Sequence, residues 1–390
     1  MFPNDLQLCI RLAIYTGKHG FIIMVYVFVI IFCCFHLMTN GEVRSFVGMS
    51  MAGINLTLSK KELSICKNNL LDLKAYHYEN WVSRSYNSQL SEKRTYQKSC
   101  RLLKYTTGRA VKCIDALNEE RINQENLVME NNSKIFQKLH FVFVGDSRMR
   151  QQFYNFLKLI PDYDRKTQPI KTENNSMLFH HHDIDVESKI LRLLVSFKWR
   201  PIINETVMET IHEWEISEKT EKPHMIILSI EVYHMLEENG GDFKMFEEKA
   251  KQLFGMLHKL STNSQVIWLN QYPTIDFGLM PHIYKFAINS EKIHQYNKAV
   301  RYIIKNPSNI RIWDSSNTLA EEYVRGCVIF PERESEFFFS KTKFVPFEPI
   351  NTKPYINCQD FIHIGYAALS QATQIFYNDL CNGKVYSLAP

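Results

Sequence analysis

Two short motifs, far apart in the chain, carry the residue types of nucleophilic acyl chemistry. Gly145-Asp146-Ser147 closes the apolar run Phe141-Val-Phe-Val144, and Asp360-Phe-Ile-His363 stands near the C-terminus. A serine hydroxyl becomes a nucleophile only when a base takes its proton. A histidine can be that base, and a nearby carboxylate can orient the imidazole and stabilise the imidazolium. Ser147, His363 and Asp360 are therefore the candidate catalytic set. Each motif has a plainer reading: Asp146 as a helix cap, Asp360 and His363 as a loop carboxylate and a surface imidazole. Their order, one near the start of a domain and the other near its end, argues for chemistry.

Elements that would bring these residues together are visible from 139 onward. Leu139–Val144, Ile190–Phe197, Met225–Ile230, Gln265–Leu269 and Ile310–Trp313 read as buried strands. Helices are expected over 148–159, Phe243–Leu260, Glu291–Ile304 and Gly365–Leu380. Such alternation predicts an α/β fold of three layers, a parallel sheet with helices on both faces. Ligands of such sheets bind beyond the carboxyl ends of the strands, where Ser147 would stand. At a helix start its N–H would also face a developing oxyanion.

The first part of the chain reads differently. Phe21–Leu37 is a continuous apolar run, just long enough to span a bilayer. Arg11, Lys18 and His19 precede it, which predicts a cytosolic N-terminus and a lumenal remainder. The sequons at Asn55, Asn131, Asn174 and Asn204 all lie beyond the run. Of nine cysteines, Cys9, Cys33 and Cys34 lie in or before it. Cys66, Cys100, Cys113, Cys327, Cys358 and Cys381 form an even set, as disulfides in an oxidising compartment require. The expected organisation is a tail at 1–20, an anchor helix at 21–37 and a stem at 38–65. A polar, irregular, disulfide-tied cap follows at 66–138, then the α/β domain at 139–383. A net charge of +5 spread over 390 residues gives no footprint for nucleic acid. His180-His-His182 with Asp183 and Asp185 lies in a polar insertion, and no metal is expected. Phe337-Phe-Phe339 is an aromatic triplet read as edge packing or as the lining of an acceptor groove.

On these residues the sequence resembles the SGNH/GDSL hydrolase superfamily, and within it the lumenal domain of the sialic acid 9-O-acetyltransferase family. The nucleophile block resembles Phe143-Val-Gly-Asp-Ser-Arg-Met-Arg-Gln-Gln-Phe-Tyr154, and the upstream cysteines resemble Cys100 and Cys113. Phe197-Lys-Trp-Arg-Pro201, Lys222-Pro-His224, Val266-Ile-Trp-Leu-Asn-Gln271 with Pro273, and Asn289–Asn297 follow in order. The likeness covers roughly residues 60–383.

The resemblance implies an SGNH-type domain that moves acetyl groups through an acetyl-Ser147 intermediate. Acetyl-CoA would be the donor and co-substrate, with no bound cofactor. Sialic acid or CMP-sialic acid would be the acceptor, in a single-pass Golgi membrane protein. A separate multi-span membrane protein is one way the donor would reach the lumen. Two oxyanion positions depart from the superfamily. Ser229 stands where a glycine is usual, and Gln271, or else Asn270, stands where an asparagine is usual. Arg148 and Arg150 are candidates for an anionic substrate group, and Trp199 for stacking on a sugar or adenine. The same triad also serves an esterase, and the altered oxyanion positions leave a weakly active glycan-binding protein as a third reading.

Overall fold

The computed structural model describes residues 65–66, 69–72, 100–128, 138–169, 181–218, 221–239, 241–274, 288–304, 309–325, 329–331, 344–346 and 362–385. The expected anchor at 21–37, the sequons at Asn55, Asn131 and Asn174, and Phe337–Phe339 lie outside them. Among the described residues no helix is long and apolar enough to cross a membrane.

In chain order the elements are α1 (Thr107–Val128), β1 (Leu139–Gly145), α2 (Ser147–Leu157), β2 (Lys166–Gln168), β3 (Ile184–Ser188) and β4 (Leu193–Trp199). Then come α3 (Glu205–Ile216), β5 (Met225–Ser229), a 3₁₀ turn at Val232–Met235, α4 (Phe243–Leu260) and β6 (Gln265–Leu269). The chain continues through α5 (Ser290–Ile304), β7 (Arg311–Trp313), α6 (Asn317–Arg325), β8 (Ile329–Pro331), β9 (Phe344–Pro346) and α7 (Tyr366–Val385). Seven strands form one sheet in the order β2-β3-β4-β1-β5-β6-β7, and β8 pairs with β9 separately.

The expected fully parallel sheet is corrected here. The strands from β4 to β7 are parallel neighbours, but β3 runs antiparallel to β4 and β2 antiparallel to β3. The physical reason is the short connection Lys189–Arg192, which turns the chain straight back and leaves no room for a crossover helix. The predicted strand at Ile190–Phe197 had absorbed that turn.

Side chains alternate across the sheet, and each face has its own core. Phe141, Phe143, Val195, Phe197, Ile227, Ile267 and Trp313 face the layer of α1, α2 and α7. Val142, Val144, Ile226, Leu228, Val266 and Trp268 face α3, α4 and α5. The second layer stops short of β4 and β3, and there the same face carries Ser196, Lys198, Asp185 and Glu187.

Helix α2 begins because the Asp146 side chain accepts from the Arg148 N–H at 2.8 Å. Its Met149, Phe153 and Phe156 recur on one face and are fully buried, each phenylalanine contributing roughly 2–3 kcal/mol of apolar burial. Helix α1 falls where the sequence reads as irregular. Its inward face mixes Ala110, Cys113 and Ile114 with Asn118 and Arg121, which blurs the apolar period. It packs against α7. Cys113 is bonded to Cys381 in α7, and Cys66 to Cys100. Cys327 and Cys358 lie outside the described residues.

Candidate active site

The strand end that carries Ser147 admits only glycine before it. A Cβ on Gly145 would stand 2.3 Å from the Ser229 carbonyl oxygen and 2.9 Å from the Met149 side chain. Gly145 is in register with Ser229 of β5 on one side and with Trp199 of β4 on the other. Ser147 is therefore delivered where three neighbouring strands end.

Ser147 is the first residue of α2. The Asp146 cap occupies the Arg148 N–H, and the Ser147 N–H forms no hydrogen bond among the described residues. It is one of the donors a helix start leaves unpaired. The Ser147 hydroxyl lies 2.7 Å from His363 Nε2, which brings together residues separated by most of the domain. His363 stands just before α7, whose Ala368, Leu369 and Ala372 are buried in the core. Asp360, the expected third member, lies outside the described residues.

Of the expected oxyanion residues, Ser229 is buried, and its hydroxyl donates to Leu269 O at 2.7 Å. The extra side chain at the usual glycine position is thus turned across the sheet onto β6. Gln271 is 2% exposed. Its Oε1 accepts from Arg148 Nη1 at 2.9 Å, and its Nε2, though buried, has no hydrogen-bond partner among the described residues. Its backbone is fixed by Asn297, which accepts from the Gln271 N–H and donates to its carbonyl, both at 2.9 Å. Asn270 is fully buried, and its N–H donates to Trp313 O at 3.0 Å.

The two arginines part company. Arg148, expected to meet an anionic substrate, is corrected: the residue is 4% exposed, and its guanidinium donates to oxygens of Ile362, Gln271, Tyr272 and Pro273. A helix residue one position after Ser147 points about 100° away from it, here into the protein. Arg150 is half-buried, and its guanidinium carbon lies 5.6 Å from the Trp199 ring centroid. His181 stacks on Trp199 at 4.5 Å, and Tyr233 meets it edge-on at 6.0 Å. Asp183, from the histidine-rich stretch, accepts from the Trp199 N–H and from Arg200. Among the described residues no cluster of histidines, cysteines and carboxylates is arranged to hold a metal.

Glu231 was missed by sequence reasoning. Its Oε1 accepts from Trp268 Nε1 at 2.9 Å, and burial pushes its carboxyl up to about 8. Burial also raises Asp146, with Arg148 acting in the opposite direction. Two carboxyls behind a nucleophile could not be told from surface acids, because nothing in Ile-Glu-Val announces burial.

A serine at the carboxyl end of β1, opening a helix and hydrogen-bonded to a histidine before the last helix, is an arrangement of an α/β domain suited to nucleophilic acyl chemistry. No family model matches the chain. The chain is similar to the N-acetylneuraminate (7)9-O-acetyltransferase of Danio rerio, at 27% identity over 185 residues. That stretch is 47% of this chain and 22% of the relative, so the match spans about a fifth of the relative's length. Among solved structures, a peptidoglycan O-acetylesterase matches with TM-score 0.39 at 8% identity, covering 73% of this chain and 99% of that one. The acetylxylan esterase Axe2 of Geobacillus stearothermophilus matches with TM-score 0.33 at 13% identity, covering 64% and 96%.

Proposed function

We propose that this chain is an O-acetyltransferase that carries acetyl on Ser147, taking it from acetyl-CoA and passing it to a hydroxyl of sialic acid or CMP-sialic acid. The observation that carries the reading is the 2.7 Å hydrogen bond between Ser147 and His363 at the strand end. The similarity to a sialic acid O-acetyltransferase supplies the acceptor class. As Ser147 Oγ bonds to the thioester carbon, its proton passes to His363 Nε2. The C–S bond then breaks, and His363 returns the proton to the departing thiolate. In the second half the sugar hydroxyl gives its proton to His363 and attacks the acetyl carbon, and Ser147 recovers the proton as its ester bond breaks. Asp360 orients His363 in this scheme. The Ser147 N–H, the Ser229 N–H and the Gln271 side chain hold the oxyanion, with Asn270 the second choice for the last donor.

Arg150 and Trp199, in contact with each other beside the strand end that carries Ser147, are the residues proposed to meet the acceptor. A guanidinium suits a carboxylate, and an indole suits the apolar face of a sugar ring. We place the protein in the Golgi membrane with this domain lumenal. Asn204 fits that setting: it is exposed, and it caps α3 through Oδ1, which accepts from the Val207 N–H. Its Nδ2, the atom a glycan would take, is left out of that contact.

The test is incubation of the full chain with acetyl-labelled CoA, with and without CMP-sialic acid, beside Ser147→Ala. Label that reaches the sugar only when Ser147 is present supports the reading. Ser147-dependent release of acetate from an acetylated sugar, with no transfer, converts it to an esterase. No label on protein or sugar, together with no release of acetate from the acetylated sugar, refutes both.

A further inference from the structure

Arg148 occupies a position that helix electrostatics disfavours. It is the second residue of α2, where the macrodipole is positive and a cation is unfavourable. It is also almost completely buried, and a buried charge is expensive unless hydrogen bonds replace its water. Those bonds are present, and their destinations are informative. Nε and Nη2 both donate to Ile362 O, at 3.0 and 2.6 Å. Nη1 donates to Tyr272 O at 2.7 Å and to Gln271 Oε1 at 2.9 Å, and Nη2 reaches Pro273 O at 3.2 Å. One planar group thus joins three segments: the start of α2, next to Ser147; the loop 271–273; and Ile362, next to His363.

The contact with Gln271 has a further consequence. A carboxamide can present either end, but a guanidinium has only donors, so it accepts only the oxygen end against it. The Gln271 Oε1 is fixed inward, and the end turned away is Nε2, buried and without a partner among the described residues. A buried N–H₂ lacking an acceptor loses free energy unless a ligand atom supplies one.

We propose that Arg148 is a positioning residue for the acyl-transfer reaction: it locks the Ser147, Gln271 and His363 segments in one geometry and turns the Gln271 amide so that Nε2 meets the oxyanion. The inference rests on the reading of Ser147 as nucleophile. Arg148 touches neither donor nor acceptor. Lysine cannot replace it, because a point charge on a flexible stem cannot hold four oxygens in a plane.

The experiment measures the second-order rate at which a small fluorophosphonate modifies Ser147 in the full chain, together with the melting midpoint of each variant. The probe needs an activated serine and an oxyanion donor but neither CoA nor sugar. Arg148→Lys is expected to slow labelling at least tenfold, and Arg148→Ala and Gln271→Ala about 100-fold, at temperatures where each is folded. The double variant Arg148→Ala/Gln271→Ala should be no more than about threefold slower than Arg148→Ala, because both changes remove the same donor. If Arg148→Ala does not fold, the cycle built on Arg148→Lys reads the same coupling. Labelling of Arg148→Lys within threefold of wild type, or losses that multiply in the double variant, overturns the inference alone. Wild type that labels no faster than Ser147→Ala overturns the nucleophile reading, and this inference with it.

Discussion

Two serine–histidine hydrogen bonds stand at different heights on the same sheet. Above the end of β1, Ser147 meets His363 at 2.7 Å; near its beginning, His140 Nε2 lies 2.9 Å from the hydroxyl of Ser196 in β4. The lower pair even has a carboxylate close by, since Asp185 raises the His140 pKa through its charge. Yet Ser196 is 1% exposed and sits mid-strand between β1 and β3. Burial, above all, holds His140 down to about 4, and the neighbouring His224 and Lys198 add to this. A base that weak has little driving force to take a proton at neutral pH. No helix starts at Ser196, so there is no cluster of unpaired N–H groups to receive an oxyanion. What separates the pairs is position, not composition: a strand end followed by a helix start supplies access, a dipole and free donors together.

The sharpest way to break this comparison is to delete each hydroxyl. Ser147→Ala and His363→Ala should each lower acetyl turnover by about four orders of magnitude or more, whereas Ser196→Ala should leave it within about twofold. Equal losses in a turnover assay would make the lower pair functional. Next in size, Gln271→Ala should cost about two to three orders of magnitude in kcat with little change in KM, as removal of a transition-state donor does. An unchanged kcat would pass the role to Asn270.

Acid should weaken the fold at both ends of the sheet. His140, His224 and His234 are each held down to about 4 by burial. Two of them accept backbone N–H groups, His224 from His140 at 3.0 Å and His234 from Ile203 at 2.8 Å, and can do so only while neutral. The unfolded chain takes up protons from about pH 6.5 downward while the folded one resists to about pH 4. Stability should therefore fall as pH drops across that window. Thermal melts at half-unit pH steps would show it, and a flat midpoint from 6.5 to 4 would contradict it. The smallest effect has the opposite sign. Glu231 keeps its proton to about pH 8 when folded but loses it near 4.5 when unfolded. It therefore costs increasing stability as pH rises between those values, and Glu231→Gln should raise the melting midpoint by a few degrees at pH 8 but not at pH 4.

The parts legible in the sequence were those with strong periods or fixed chemistry. The strands β1, β5 and β6, the helices α2, α4 and α5, and the pairing of Ser147 with His363 all announce themselves in this way. Helix α1 did not, because Asn118 and Arg121 point inward beside Cys113 and interrupt the apolar rhythm. The antiparallel strand β3 did not either: its Asp185 and Glu187 face the uncovered side of the sheet, so only Ile184 and Val186 mark it as a strand. Arg148 was read as a substrate contact because its charge is visible in the sequence and its burial is not. Burial follows from the direction of one helix residue relative to its neighbour, and from what two distant loops place there.

The Cys113–Cys381 bond joins the first described helix to the last, 268 residues apart in sequence. Everything that makes the candidate site lies inside this covalent ring. A protease that cuts the backbone once between these cysteines produces no fragments, only a nicked ring that runs as one species until it is reduced. A chain that stops short of residue 381 has the opposite fate. It leaves Cys113 as an orphan thiol, so a thiol-reactive label distinguishes shortened copies from full-length ones.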